Sequence, residues 1–212
     1  SDLDLRFKRV SFFSLVGAES SNNGAFANLT IYVPIKGAML DSNYELKPIV
    51  NHQFKFSLLR RNADNQTTPL GVLENTGLSN DELAASYSFF GSAHRTTISY
   101  EQLKMDYGLP GSPEGHIDGV NLKMDKHSQK LNHHRDISFL NFQTFDLDQR
   151  FINYNHSEFV TGSNFASVSM GQNLFSLQGK LAGEQLTLGT LVQYRDFRAG
   201  GFYWTPDTEE IR

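Results

Sequence analysis

Four of the seven histidines fall within nineteen consecutive positions, and imidazole binds metal ions and haem iron at neutral pH. The four are His116, His127, His133 and His134. Their spacing matches neither a structural zinc pattern nor the H-E-x-x-H helix pair, so no metal site is predicted. Two interpretations remain open. The histidines contact a ligand such as haem, or they are solvated side chains in a polar hairpin loop.

The glycine-rich stretch 171–191 is a second candidate for chemistry, because glycines can wrap around a phosphate group. It lacks the order G-x-G-x-x-G, and no Lys-Ser or Lys-Thr pair follows it, which excludes a phosphate-binding loop. Apolar and polar residues alternate on both sides of Gly179 and Gly183. This alternation predicts a β-hairpin punctuated by glycines.

Catalytic groups have little support in the sequence. No G-x-S-x-G elbow is present to place a reactive serine. Asp146 and Asp148 share one face of a predicted strand, and such carboxylate pairs can cleave sugars. Glu114 and Asp118 form a second candidate pair. Exposed acidic residues explain both pairs equally well, so no catalytic residue is predicted.

Two polar segments are predicted to form surface loops that contact a partner. Residues 17–28 and 60–71 are rich in Asn, Gly, Asp and Ser or Thr, which favour turns. Loops held on a rigid scaffold supply specificity without catalytic groups. The predicted interaction surface consists of Asn22, Asn23, Phe26, Arg60 and Arg61.

The elements that would position these side chains are mainly β-strands. In residues 29–36 and 54–58, apolar side chains alternate with other residues, which is the pattern of half-buried strands. Several segments after residue 115 show short runs of the same kind, separated by Asp, Asn, Gly and Ser. This spacing is typical of an antiparallel barrel or sandwich.

Short helices are expected only in the middle of the chain. Ser79 and Glu82 have the spacing of a capping box ahead of DELAASYSFF. Ser99 and Gln102 repeat that spacing ahead of EQLKMDYG. Each pair predicts a helix of a few turns.

The segment GLPGSPEG, residues 108–115, holds three glycines and two prolines and predicts a domain boundary. The expected fold is mainly β. Residues 1–110 are predicted to form an N-terminal β-rich, handle-like domain with short helices, and residues 111–212 a C-terminal antiparallel β-barrel of about eight strands.

The composition excludes several functions. The chain has no cysteine, which excludes disulfides, thiolate nucleophiles and cysteine zinc sites. A net charge of -4 and a pI near 5.9 argue against nucleic acid as a partner. No run of eighteen apolar residues occurs, so no transmembrane segment is predicted. The protein is expected to be a monomer. A signal peptide or lipid anchor ahead of Ser1 is left open.

The stretch NLFSLQGKLAGEQLTLGTLVQY resembles the last barrel hairpin of Gram-negative surface lipoproteins with a handle-and-barrel plan, which include transferrin-binding protein B, factor H binding protein and the haemophores. Gly179, Ala182, Glu184 and Gly189 carry the resemblance. It implies a lipid-anchored outer-membrane or secreted protein without catalytic activity. Its partner would be a host protein, haem or a small apolar ligand, and an outer-membrane translocator or receptor would accompany it.

Two alternatives remain. YRDFRAGGFYW, residues 194–204, resembles the C-terminal strand of jelly-roll alginate lyases, which implies a polysaccharide lyase. Those enzymes also need an R-x-E-L-R strand and a Q-I-H triplet, and this chain offers only FSLLRRN and GHIDG at comparable places. The other alternative is a calyx-type barrel that encloses a small apolar ligand.

Overall fold

Long β-strands make up most of the chain in the computed structural model, which describes residues 9–40, 46–112, 118–202 and 208–211. The strands are β1 Ser11–Glu19, β2 Gly24–Leu40, β3 Leu46–Ala63, β4 Gln66–Thr68, β5 Gly71–Leu73, β6 Leu78–Phe90, β7 His94–Leu109, β8 Val120–Phe139, β9 Phe142–Val160, β10 Val168–Gly183, β11 Thr187–Gly200 and β12 Thr208–Ile211. The mainly β prediction is confirmed.

Ten of these strands form one antiparallel sheet in the order β1-β2-β3-β6-β7-β8-β9-β10-β11-β12. Each strand pairs with the next one along the chain, except that the small β4–β5 hairpin is inserted between β3 and β6. The outermost strands, β1 and β12, do not pair with each other. Within the described ranges, therefore, the predicted closed barrel is not found.

Two connections at one end of the sheet are longer than the tight turns at the other end. Residues 91–93, 140–141 and 184–186 make tight turns at one end, called here the short-turn end. Residues 64–77, which contain the β4–β5 hairpin, and residues 161–167 make longer connections at the other, called the long-loop end. The turn at 184–186 joins β10 to β11, which confirms the hairpin predicted from the glycine-rich stretch.

The two faces of the sheet have opposite chemistry, because successive side chains in a strand point to opposite sides. One cross-strand row defines the polar face: Tyr32, Lys55, Ser86, Ser99, Lys130, Arg150, Ser176 and Gln193. The sequence neighbours of these residues form a row on the apolar face: Val33, Phe54, Tyr87, Ile98, Leu131, Gln149, Leu177 and Val192. The sheet is thus amphipathic from β2 to β11.

The apolar face is not covered by a second layer. Among the described residues, Leu122 and Phe142 are the only buried hydrophobic side chains. Ten large apolar side chains on the apolar face are between 38% and 56% exposed: Leu29, Ile35, Phe56, Leu58, Leu83, Ile98, Phe151, Leu188, Val192 and Tyr194. The described part therefore lacks the interior of a sandwich or jelly roll, in which two sheets bury their apolar faces against each other.

The two predicted helices are wrong, since both segments are strands of the sheet, β6 and β7. The spacing of Ser79 and Glu82 occurs in strands as well as in helix caps. In β6, Leu83 and Tyr87 lie on the apolar face while Glu82 and Ser86 lie on the polar face. Period-two burial against long-range partners outweighs a local capping pattern. No helix occurs in the described ranges, so none there is long and apolar enough to cross a membrane.

The division into residues 1–110 and 111–212 stays a prediction. β7 and β8 lie on opposite sides of that boundary and pair with each other from Leu109 and Val120 to His94 and Arg135. The sheet is therefore continuous across the glycine- and proline-rich segment.

Two glycines of β10 should respond differently to replacement by alanine. A Cβ on Gly183 would collide with the backbone carbonyl oxygen of Asn141, whereas a Cβ on Gly179 meets only the Thr190 methyl at 3.5 Å. We expect Gly183→Ala to lower the free energy of unfolding by about 1–3 kcal/mol, the usual effect of overpacking. Gly179→Ala, the matched control, should change it by less than about 0.5 kcal/mol. Equal urea midpoints for the two variants would contradict this geometry.

Candidate functional site

Towards the short-turn end, the polar face holds charged groups of both signs around a cavity of about 570 Å³. Lys55 and Arg95 bring positive charge to it, and Asp146 and Asp148 bring negative charge. These side chains come from β3, β7 and β9, so sheet pairing rather than a local motif assembles them. A surface of this kind offers hydrogen bonds and charge to a polar ligand.

His134 is the best-connected residue of this cavity. Its Nδ1 lies 2.6 Å from an Asp146 carboxylate oxygen, and its Nε2 lies 3.4 Å from Asp136. The hydrogen bond to Asp146 raises the pKa of His134 above its ordinary value, and partial burial opposes this shift. Next to this pair, the Asn132 amide donates a hydrogen bond to Asp148. His134–Asp146 and Asn132–Asp148 are thus two neighbouring polar pairs that join β8 to β9.

A second cavity, of about 380 Å³, lies closer to the long-loop end and includes polar-face residues of β2 to β8. Glu82, Glu101 and Lys126 contribute its charges. One of these residues, Glu101, accepts a hydrogen bond from the Lys130 ammonium at 3.1 Å. Ser128 is buried at 2% exposure. The polar face thus continues as a charged groove towards the long-loop end.

The predicted histidine cluster is divided between the two faces. His134 lies on the polar face, and its neighbour His133 lies on the apolar face, where Thr96 Oγ1 is 2.8 Å from its Nδ1. His127 shares the apolar face but lies six residues away, about 20 Å along a strand. His116 lies outside the described residues. The three described histidines therefore do not converge on one point, and a haem ligand stays a prediction.

The alternative interpretation, a polar hairpin loop, is wrong. The segment 126–136 lies within β8, which pairs with β7 from Val120 to Arg135 and with β9 from Val120 to Asp136. His127 is fixed by the Tyr100 hydroxyl at 2.7 Å and by Asp125 at 3.0 Å. These histidines are strand residues with hydrogen-bond partners.

Part of the predicted interaction surface forms a turn at the long-loop end. The Asn22 side chain accepts a hydrogen bond from the Gly24 backbone and donates one to Glu19, both at 3.0 Å. Arg61 donates to the same Glu19 at 2.7 Å, and the hydrogen bond from Asn22, together with the charge of Arg61, holds the pKa of that carboxyl below its ordinary value. Asn23 has a φ of 47°, a backbone conformation that asparagine tolerates well. These contacts brace the β1–β2 turn.

Phe26 and Arg60 lie on opposite faces of the sheet. The Phe26 ring occupies the space next to Gly17, where a Cβ would collide with the ring. Arg60 lies on the apolar face and pairs with Asp81 at 3.5 Å. A contact between the predicted surface residues and a partner stays a prediction.

The carboxylate pair Asp146 and Asp148 lies on one face, as the alternation in the sequence indicated. Glu114 lies outside the described residues, so the second pair has no description. Sequence reasoning missed Lys55, Arg95 and Glu101, because only the pairing of β3, β6 and β7 places them on one face and because residues 101–108 of β7 were predicted to be helical. A period-two reading of 94–109 would have placed Arg95 and Glu101 on the same face.

Comparisons with known proteins identify no relative, since no family model and no curated protein sequence matches this chain. In the part of the chain that the structure describes, no group of three or more His, Asp or Glu side chains is arranged to hold a metal ion.

The pKa of His134 should depend on Asp146. We expect Asp146→Asn to lower it, because the main stabilising partner of the imidazolium is then neutral. Since the folded pKa is raised, the stabilisation from His134 is fully present below the unfolded pKa of about 6.5 and is lost as the pH rises through the folded value. Histidine Cε1–H NMR titration measures the shift.

Asp148→Asn is the matched control for this titration, because Asp148 lines the same cavity and pairs with Asn132 instead. It should leave the pKa of His134 close to that of the unmodified protein. An unchanged pKa of His134 in Asp146→Asn would contradict the assigned pair.

Proposed function

We propose that this sheet forms part of the wall of a membrane-spanning β-barrel of the outer-membrane type. In this arrangement the apolar face contacts lipid, the polar face lines an aqueous interior, and the long-loop end faces outward. The protein's function would be to bind a polar ligand at the cell surface or in that interior, without catalysis. The observation that carries the proposal is the uncovered apolar face on eight consecutive strands of the sheet.

The dimensions of the apolar band fit a bilayer. In β11 its apolar-face positions run from Leu188 to Tyr194, and in β6 from Leu83 to Phe89. Seven residues span about 20 Å along a strand, close to the roughly 25 Å band of outer-membrane barrels. The band lies nearer the short-turn end in β9, β10 and β11 than in β2 and β3. The band therefore crosses the strands obliquely. This is expected when the strands of a barrel are tilted from the membrane normal.

Aromatic and histidine rings border the band near the short-turn end. Five rings from five neighbouring strands follow one another, with centroids between 5.0 and 6.3 Å apart: His52, Phe89, His94, His133 and Phe145. Rings with a polar atom are suited to the membrane interface, since one part is apolar and another is hydrated. This row accounts for His133 without a haem ligand.

On the side towards the long-loop end, the apolar face ends in a second aromatic row. Tyr100, Phe151, Phe175 and Tyr194 share one cross-strand row. Beyond it, the same face carries polar residues from β7 to β11: Gln102, His127, Asn153, Asn173 and Asp196. The strands thus continue past the band into a region suited to water, as strands beneath extracellular loops do.

Two glutamines interrupt the band. Gln129 and Gln149 lie on the apolar face in β8 and β9, and both are exposed. An uncharged amide is tolerated more easily in lipid than a charged side chain, and no Asp, Glu, Lys or Arg lies on this face between the two aromatic rows of β7 to β9. Between the two rows, the charged side chains of these strands, such as Lys130, Asp148 and Arg150, lie instead on the opposite, polar face.

The two edge strands, β1 and β12, have backbone groups that need partners in a membrane. In hydrocarbon every backbone N–H and C=O group needs a partner, so β1 and β12 must each pair with a further strand. The proposal therefore includes strands that complete the wall beside both edges.

A second candidate function follows from the same face. A protein partner, rather than lipid, would cover the ten exposed apolar side chains, and the chain would act as a surface or secreted binding protein, as the lipoprotein resemblance implies. The paired aromatic rows and the unequal connections at the two ends favour lipid. Fluorescence quenching distinguishes a lipid contact of the apolar face from a contact with a protein partner.

Tryptophan scanning of two adjacent residues tests which face meets lipid. Ile98 lies on the apolar face of β7 with 55% exposure, and Ser99 lies on the polar face. In a Trp204→Phe background without other tryptophans, the full-length protein is reconstituted in vesicles with brominated acyl chains. We expect Ile98→Trp emission to be strongly quenched by the lipid and Ser99→Trp emission to be quenched by aqueous acrylamide instead.

The outcome also identifies a protein cover. If Ile98→Trp is shielded from acrylamide but unaffected by brominated lipid, a partner covers the apolar face and the membrane proposal is wrong. Tyr194→Trp and Gln193→Trp form a second matched pair in β11 and should repeat the β7 result.

A further inference from the structure

Three of the four methionines of the chain lie side by side with a buried histidine on the polar face. Met105 is paired with Met124, Met124 with His156, and His156 with Met170. One cross-strand row therefore reads Met, Met, His, Met across β7, β8, β9 and β10. Nothing local in the sequence brings these residues together, because up to 65 positions separate them and only the register of four strands aligns them.

Directly opposed residues on neighbouring antiparallel strands have Cα atoms about 4.5–5.5 Å apart. The long, flexible arms of Met124 and Met170 can therefore reach the space above the imidazole between them. His156 is only 7% exposed, whereas the flanking methionines are half-buried and open towards the polar face. An ion approaching from that face would meet the sulfur atoms first.

One ring nitrogen of His156 contacts a carboxylate, and the other shares a neighbouring hydroxyl with the Met124 sulfur. Its Nε2 lies 3.0 Å from a Glu158 carboxylate oxygen and donates to it when the ring is neutral. Its Nδ1 then carries the lone pair and lies 3.3 Å from the Tyr154 hydroxyl. The Tyr154 oxygen also lies 3.3 Å from the Met124 sulfur, and its one proton can be donated either to that sulfur or to Nδ1. Nδ1 and Sδ are thus both within 3.3 Å of one oxygen, and a carboxylate that orients a ligand histidine is usual in metal sites.

We propose that Met124, His156 and Met170 form a binding site for a soft monovalent cation, Cu(I) or its analogue Ag(I), with Met105 next to it in the row. Thioether sulfur and neutral imidazole prefer such ions, and hard cations such as Mg²⁺ prefer oxygen. Glu158 is the positioning residue that fixes the tautomer of His156. The site depends on the sheet register alone and would exist whether or not the apolar face contacts lipid.

Filling of space is the competing role for these methionines, since methionine packs readily into irregular gaps. Met39 provides an internal comparison, because it lies near the short-turn end of β2, away from the row. The methyl groups of all four methionines can be observed at once by NMR after ¹³C-methyl labelling. Substitution of each methionine by leucine assigns the four signals.

Titration of the full-length protein with Ag(I) tests the site. We expect the methyl signals of Met124 and Met170 to shift and saturate at one equivalent, while that of Met39 stays in place. His156→Gln should weaken Ag(I) binding by at least about tenfold, and Glu158→Gln by roughly tenfold, the usual loss on removing a partner of a ligand histidine. His127→Gln, on the opposite face of β8, is the control and should leave the affinity unchanged.

Three results would overturn the proposal: no shift at one equivalent, an equal shift of Met39, or unchanged affinity in His156→Gln. Loss of affinity in His156→Gln could also come from a folding defect. Met124→Leu and Met170→Leu distinguish the two causes, because they conserve side-chain volume. Each should keep the circular dichroism of the unmodified protein and still lose Ag(I) affinity. Retained affinity in both would assign the methionines to packing.

Discussion

The structure depends on one physical constraint: a single antiparallel sheet has an apolar face that no other part of the described chain covers. Ile98, Phe56 and Val192 are about half exposed although they lie in the middle of long strands. Apolar surface of this extent is unfavourable in water, so it requires an apolar neighbour. In the proposed arrangement lipid meets that need along the whole band, and the aromatic rows at its two borders would serve as interfacial girdles.

The same constraint organises the polar face. Because the side-chain period of a strand is two, a register shift of one residue would exchange the faces of a whole strand. His133 and His134 illustrate this: one joins the ring row on the apolar face, and the other pairs with Asp146 on the polar face. Charged groups can then collect opposite the apolar band. The methionine and histidine row depends on the register in the same way.

The strand character of the chain could be predicted from local alternation, as residues 29–36 and the hairpin of β10 and β11 show. The strand identity of β6 and β7 could not, because Ser79 with Glu82 also fits a helix cap. The predicted barrel was not found in the described ranges, and the division into domains stays a prediction. Cross-strand sites were beyond sequence reasoning, since Met105 and Met170 become neighbours of one row only through four paired strands.

Site-directed spin labelling along β6 tests the contact between the apolar face and lipid most directly. The chain has no cysteine, so each introduced one is the only labelling site. With the full-length protein in bilayers, nitroxides at positions 83, 85, 87 and 89 should be accessible to membrane-dissolved oxygen and protected from an aqueous nickel chelate. Positions 82, 84, 86 and 88 should show less oxygen access and, where water reaches them, more nickel access. Accessibility without this period of two, or greater nickel access at 83–89, would contradict a lipid-facing sheet.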